Sequence, residues 1–121
     1  MIERLSPPGS PAPAGPYSPA VRAGGFIYVS GQVAQQRGDV ELETRQVLTN
    51  IKTILEGAGS SMADVVKCSV FLKEGSDFAK MNAIYAEFFG NDKPARSTIV
   101  CNFVADIKVE IDCIAYKPEL G

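Results

Sequence analysis

The chain contains no histidine. At neutral pH this removes the usual general base, the Ser-His and Cys-His nucleophile pairs and the commonest metal ligand. Tryptophan is also absent, and cysteine is scarce: Cys68, Cys101 and Cys113 stand far apart and form no CxxC-type motif. Each falls on an apolar strand face, so the thiols read as small core hydrophobes. Free cysteines without a secretory signal fit a reducing compartment, and a cytoplasmic location is expected. Basic charge is not in surplus: 12 Lys and Arg against 14 Asp and Glu leave a net charge of −2. Without a basic stripe there is little to hold a phosphate backbone, so no nucleic-acid partner is expected. No apolar run approaches the ~20 residues of a membrane span, and no basic-then-apolar leader opens the chain, so no membrane partner is expected.

What is present is one domain's worth of chain, 121 residues over a single core. Residues 1–16 are rich in Pro, Gly, Ala and Ser and read as an extended arm. Tyr17–Val21 reads as a short edge strand, Gly24-Gly25 as a turn, and Phe26–Val33 as the returning strand of a hairpin. Gly31 inside that strand predicts a bulge or a close approach of backbone to something else. Asp39 is a fair N-cap for a helix over 40–57, whose stripe is Val47, Leu48, Ile51, Ile54 and Leu55. Asp64–Lys73 alternates as a strand, with Val66, Cys68, Val70 and Leu72 on the apolar face. Ser76 or Asp77 caps a second helix with the stripe Phe78, Met81, Tyr85 and Phe88, stopped by Gly90.

Pro94–Cys101 and Lys108–Ala115 are the last two strands. Period two puts Ile99, Cys101 and Phe103 on one face of the first, with Arg96, Thr98 and Val100 opposite. In the second, Val109, Ile111, Cys113 and Ala115 are apolar, with Lys108, Glu110 and Asp112 opposite. If the apolar faces lie together on the core, Arg96 and Glu110 project from the same side of the sheet. Two amphipathic helices cover one face of five or six strands. The other face, with Val29 or Tyr28, Phe71 and Val100 among polar residues, calls for self-association.

Several segments, in order along nearly the whole chain, resemble the reactive-intermediate deaminase (Rid) family of enamine/imine deaminases, long labelled translation inhibitors or endoribonucleases. They are Gly15–Ala20, Tyr28–Gln32, Thr44–Asn50, Asp64–Lys73, the Phe78–Phe89 helix with Asn82, Pro94–Ser97 and Val109–Ile111. The resemblance implies an α+β fold over residues 1–121: a six-stranded mixed sheet with two helices on one face, like the chorismate-mutase-like trimers. It implies a homotrimer with clefts between subunits. It also implies cofactor-free and metal-free hydrolysis of 2-aminoacrylate and 2-imino acids to 2-keto acids and ammonia. On this reading Arg96 matches the arginine that holds the substrate carboxylate, and Thr98 a position whose backbone N–H faces it. Glu110 matches the acid that activates water. Tyr17, Ser30 and Gly31 match cleft-lining positions, and Asn82 a residue near the cleft.

The sequence departs from the family pattern in places. Thr98 stands where such deaminases often carry cysteine, and Ser97–Val109 is one residue shorter and lacks a proline near its turn. Plainer readings stand beside these: an Arg96 ion pair with Glu110 or Asp112, loop packing by Tyr17, a simple bulge at Ser30-Gly31, a loop cap at Asn82. A non-catalytic trimer that binds small carboxylates or partner proteins is the alternative function.

Overall fold

The computed structural model describes residues 1–118. Its first strand, β1 (Ile2–Leu5), lies inside the segment expected to be an extended arm. It pairs antiparallel with β2 (Ala20–Ala23), Ile2 opposite Ala23 and Leu5 opposite Ala20. The strand expected at Tyr17–Val21 thus begins later, and β1 takes the edge. Only Leu5 of β1 is even half-buried, so the strand leaves almost no alternation to read. Gly24, at φ +60°, turns the chain into β3 (Phe26–Gln32), which is antiparallel to β2.

Helix α1 (Val40–Gly57) starts where Asp39 Oδ1 accepts the Leu42 N–H at 2.8 Å. Its expected stripe is fully buried. After β4 (Val65–Leu72) comes α2 (Phe78–Phe89), closed by Gly90 at φ +53°. Asp77 precedes α2 without a side-chain capping bond, and Ser76 lies in a 3-10 turn, so the expected side-chain cap is absent. Phe78 is exposed rather than part of the stripe; Met81, Ile84, Tyr85 and Phe89 are buried.

Strands β5 (Ala95–Val100) and β6 (Val109–Tyr116) complete a six-stranded sheet in the order β1-β2-β3-β6-β4-β5. Only β4 and β5 run parallel. The expected α+β architecture is what is found: a mixed sheet with α1 and α2 on one face, their buried residues in one core with β3, β4 and β6. No helix among the described residues is long and apolar enough to cross a membrane.

The last two strands correct the sequence reading. They are not neighbours, because β4 lies between them. Residues directly opposite in a ladder share a face. Cys68 is opposite both Arg96 and Cys113, and Phe71 opposite both Ile99 and Glu110. Cys68 and Cys113 are buried in the core. Arg96, Thr98 and Val100 therefore lie on the helix side, and Ile99 and Glu110 on the open side. Arg96 and Glu110 occupy opposite faces, two strands apart. The physical reason is the edge position of β5. Ile99 is 51% and Val100 59% exposed, so neither face of this strand is core and its alternation does not say which way it turns. Ile99, not Val100, joins Tyr28 and Phe71 on the open face, while Val29 is buried.

Strand β4 holds a second correction. Val65 is opposite Ala115 but Lys67 opposite Ile114, so Val66 is the extra residue of a bulge. Val66 turns out to solvent, and Val65 goes inward with Cys68, Val70 and Leu72. Cys101 also departs from expectation: it sits just past β5, half-buried in a loop rather than on a strand face.

Candidate active site

Glu110 sits on β6, paired on both sides and hence among the most fixed strands of the sheet. Its neighbour β3 is irregular: Val29 is opposite Cys113 and Gln32 opposite Ile111, so three steps on β3 match two on β6. Ser30-Gly31 is the bulge the lone glycine announced. The bulge also brings backbone close to a side chain. A Cβ on Gly31 would stand 2.3 Å from Glu110 Oε2 and 3.0 Å from Cδ. The carboxylate can lie here only because residue 31 has no side chain.

Ser30 is tied back to the segment before β2: its N–H bonds the Pro19 carbonyl at 3.0 Å and its hydroxyl donates to the Ser18 carbonyl at 2.6 Å. With its proton committed, the hydroxyl oxygen is left to accept. Tyr17 is held by the Ala14 N–H, which donates to its hydroxyl at 3.2 Å. Tyr17, Ser30, Gly31 and Glu110 line one cavity of about 480 Å³, together with Phe103 and Val104. Among the described residues no donor or ion pair reaches the Glu110 carboxyl. Burial pushes its pKa up, and the Asp112 charge one pleat along β6 pushes the same way. Asp112 is itself raised by burial, against a lowering by hydrogen bonds from Ser69.

Arg96 belongs to a different cavity, of about 340 Å³, lined by Asn82, Tyr85, Lys93 and Arg96 among others. Its Nη1 donates to Asn82 Oδ1 at 2.8 Å. The guanidinium carbon lies 4.8 Å from the Tyr85 ring centroid and 5.7 Å from that of Phe78. A planar cation over a ring face is held in orientation as well as in place. No carboxylate pairs with Arg96 among the described residues, so the ion pair with Glu110 or Asp112 is not formed. Its remaining N–H groups can receive an anion.

Thr98 lies half-buried two residues along the same face of β5. The Cys101 N–H bonds the Leu72 carbonyl on β4 at 2.9 Å. Successive N–H groups of a strand alternate in direction, so that of Thr98 points away from β4, toward the free edge. Arg96, Asn82 and the Thr98 N–H thus gather at one margin of the sheet. Tyr17, Ser30, Gly31 and Glu110 gather on the other side. The two cavities share no lining residue. From β5 to β6 is about 10 Å, at ~4.8 Å per strand, before counting the opposite faces.

Glu43, in the first turn of α1, has a part that the sequence reading did not assign. It is completely buried; its carboxylate accepts the Lys108 N–H at 2.9 Å and the Gly38 N–H at 3.3 Å. It fixes the entry to β6, and so the base of the loop carrying Phe103 and Val104. Nothing local marks it, since both partners are distant or backbone. Tyr85, read only as core, is the ring beneath Arg96.

A family model described as Endoribonuclease L-PSP matches residues 8–117. A RutC family protein of Pyrococcus horikoshii is 47% identical over 125 residues, covering 97% of this chain and 99% of the relative. A Yersinia pestis protein of the conserved Rid family, of unknown function, superposes with a TM-score of 0.90 at 33% identity, over 96% of this chain and 99% of that one. Escherichia coli TdcF, solved with bound serine, gives a TM-score of 0.85 at 33% identity, over 89% of this chain and 93% of that one.

Proposed function

The chain belongs to the endoribonuclease L-PSP family, which takes in Rid and RutC proteins, and from this we propose that it is a hydrolytic deaminase of 2-imino acids, working as a homotrimer. One observation carries the reading. Among the described residues, a guanidinium without a carboxylate partner and a carboxylate without a donor lie in separate cavities on opposite faces of one sheet. Neither half can act alone on a small molecule. Two copies of the chain, packed so that the Arg96 margin of one meets the Glu110 cavity of the next, would close a complete site. The half-open sheet face supports such packing, and three copies give a closed ring with three equal sites. TdcF, a relative that binds serine, shows that a small amino acid suits this fold elsewhere in the family.

The chemistry uses the groups as they stand. Arg96, steadied by Asn82 and Tyr85, takes the substrate carboxylate through two parallel hydrogen bonds, and the Thr98 N–H adds a third. Glu110 accepts a proton from a water as its oxygen bonds to the imine carbon. The C=N π pair of the protonated imine moves to nitrogen, giving a neutral carbinolamine. The proton held by Glu110 then passes to that nitrogen; the carbinolamine hydroxyl returns a proton to Glu110 as its electrons form the C=O and the C–N bond breaks, and ammonia and a 2-keto acid leave. Ser30 is left to accept a hydrogen bond from the imine N–H, and Tyr17 closes the cavity. A raised Glu110 pKa suits a group that must both take and return a proton near neutrality.

A coupled assay tests this. A threonine dehydratase generates 2-iminobutanoate, and its decay is followed with and without the protein. Faster decay, lost in Arg96→Ala, is expected; decay equal to the spontaneous rate would leave the alternative, a carboxylate-binding trimer without turnover.

A further inference from the structure

The Glu110 cavity is larger and more apolar than a three-carbon imino acid requires. Its volume of about 480 Å³ falls in the ~300–1,000 Å³ range of pockets that enclose drug-sized ligands. Among the described residues Glu110 is its only carboxylate, and its lining includes Val33, Phe103, Val104, Ala105 and Ile107. Four of these belong to the loop between β5 and β6, the segment the sequence marked as shorter than in related deaminases. The loop is not slack. Ile107 is buried at its root, the next residue's N–H is held by buried Glu43, and Lys73 pairs with Asp106 at 3.4 Å. On that footing Phe103 stays half-exposed and Val104 fully exposed. Single exposed apolar residues need no account. Two in succession, presented by an anchored loop on the wall of the cavity that holds Glu110, form a surface for an apolar group.

We infer that this wall receives the substrate side chain and selects 2-imino acids with bulky apolar side chains over those derived from alanine or serine. The inference rests on the deaminase reading. With the carboxylate at Arg96 and the imine carbon at Glu110, the substituent on that carbon has the rest of the cavity to fill, and Phe103 and Val104 bound it. Each added methylene in an apolar pocket changes kcat/KM by ~10-fold or more.

The test compares imines made in place by an amino-acid oxidase with catalase. For the wild-type trimer, kcat/KM for the leucine-derived imine should exceed that for the alanine-derived imine by about tenfold or more. In F103A and in V104S that ratio should fall toward one, while K52A, remote from the cavity, should keep it. Calorimetry supplies a readout without turnover: 4-methyl-2-oxopentanoate should bind wild type about tenfold more tightly than 2-oxopropanoate, and F103A should lose the difference. Turnover with a flat substrate ratio overturns the inference and leaves the deaminase intact. No turnover on any imine sinks the deaminase reading, and the oxo-acid affinities still judge the cavity. Equal affinities, the result if a neighbouring subunit fills the wall, also overturn the inference.

Discussion

A half-buried carboxylate with no donor is costly to keep, because burial penalises its charged form and nothing returns the loss. Glu110 is such a group, raised first by burial and then by Asp112. Its folded pKa lies above the unfolded one, so its contribution to stability is present below the ordinary glutamate range, about 4.3, and is lost as pH rises through the folded value. Glu110→Gln should therefore unfold no more easily than wild type at pH 7 in a urea titration, while its kcat collapses. A clear loss of stability would mean that the carboxylate has a structural partner. In the proposed mechanism the base form acts, so the acid limb of kcat/KM should sit above the range of a free glutamate. Asp112→Asn removes a like charge on the same face and should move that limb to lower pH; an unmoved limb would assign it to another group. At Arg96, lysine keeps the charge but loses the fork and the ring stacking. Charge-assisted hydrogen bonds are worth roughly 1.5–3 kcal/mol, so Arg96→Lys should lower kcat/KM by about one to two powers of ten in steady-state kinetics.

At the scale of elements, the β3 bulge joins fold to chemistry. Gly31 has no positive φ, so alanine fits its backbone, and the clash at 2.3 Å falls on the flexible end of Glu110. Gly31→Ala should accordingly leave the urea midpoint almost unchanged and lower kcat by an order of magnitude or more, on the scale of ~10²-fold for a misplaced catalytic group. Loss of both together would show the glycine to be structural instead. This bulge was legible because glycine inside an aromatic, β-branched strand is anomalous. The bulge at Val66 was not, since valine fits a regular strand as well as a bulge, and only the ladder with β6 shows the extra residue. The same limit applies to β5. Helix α1, cap included, could be read directly because one long buried stripe fixes its orientation. An edge strand exposed on both faces has no such constraint, and Arg96 was assigned to the wrong side. The grouping of Tyr17, Ser30, Gly31 and Glu110 joins three segments far apart in the chain, and it followed from resemblance rather than from spacing.

For the whole molecule, charge and symmetry decide what can be tested. A net charge of −2 and a sequence pI of about 5.1 give little drive for counterion release from RNA. Despite the endoribonuclease name of the family model, purified protein should neither retain nor cleave RNA at physiological salt; cleavage abolished by one point substitution would refute this. Assembly has a sharper test, because the two half-sites can be inactivated separately. The Arg96→Ala and Glu110→Gln proteins should each be nearly inactive on their own. If every site takes Arg96 from one subunit and Glu110 from the next, unfolding the two variants together and refolding them at equal ratio should restore activity. A site is intact when its arginine comes from a Glu110→Gln chain and its glutamate from an Arg96→Ala chain. Random assembly of a symmetric ring makes this true for about one site in four, so about a quarter of wild-type kcat should return at unchanged KM. Mixing without unfolding should restore nothing until subunits exchange. If refolding yields trimers by light scattering but no activity, both residues act within a single chain. Arg96 would then have to leave Asn82 and Tyr85 and pass around the β5 edge to meet Glu110.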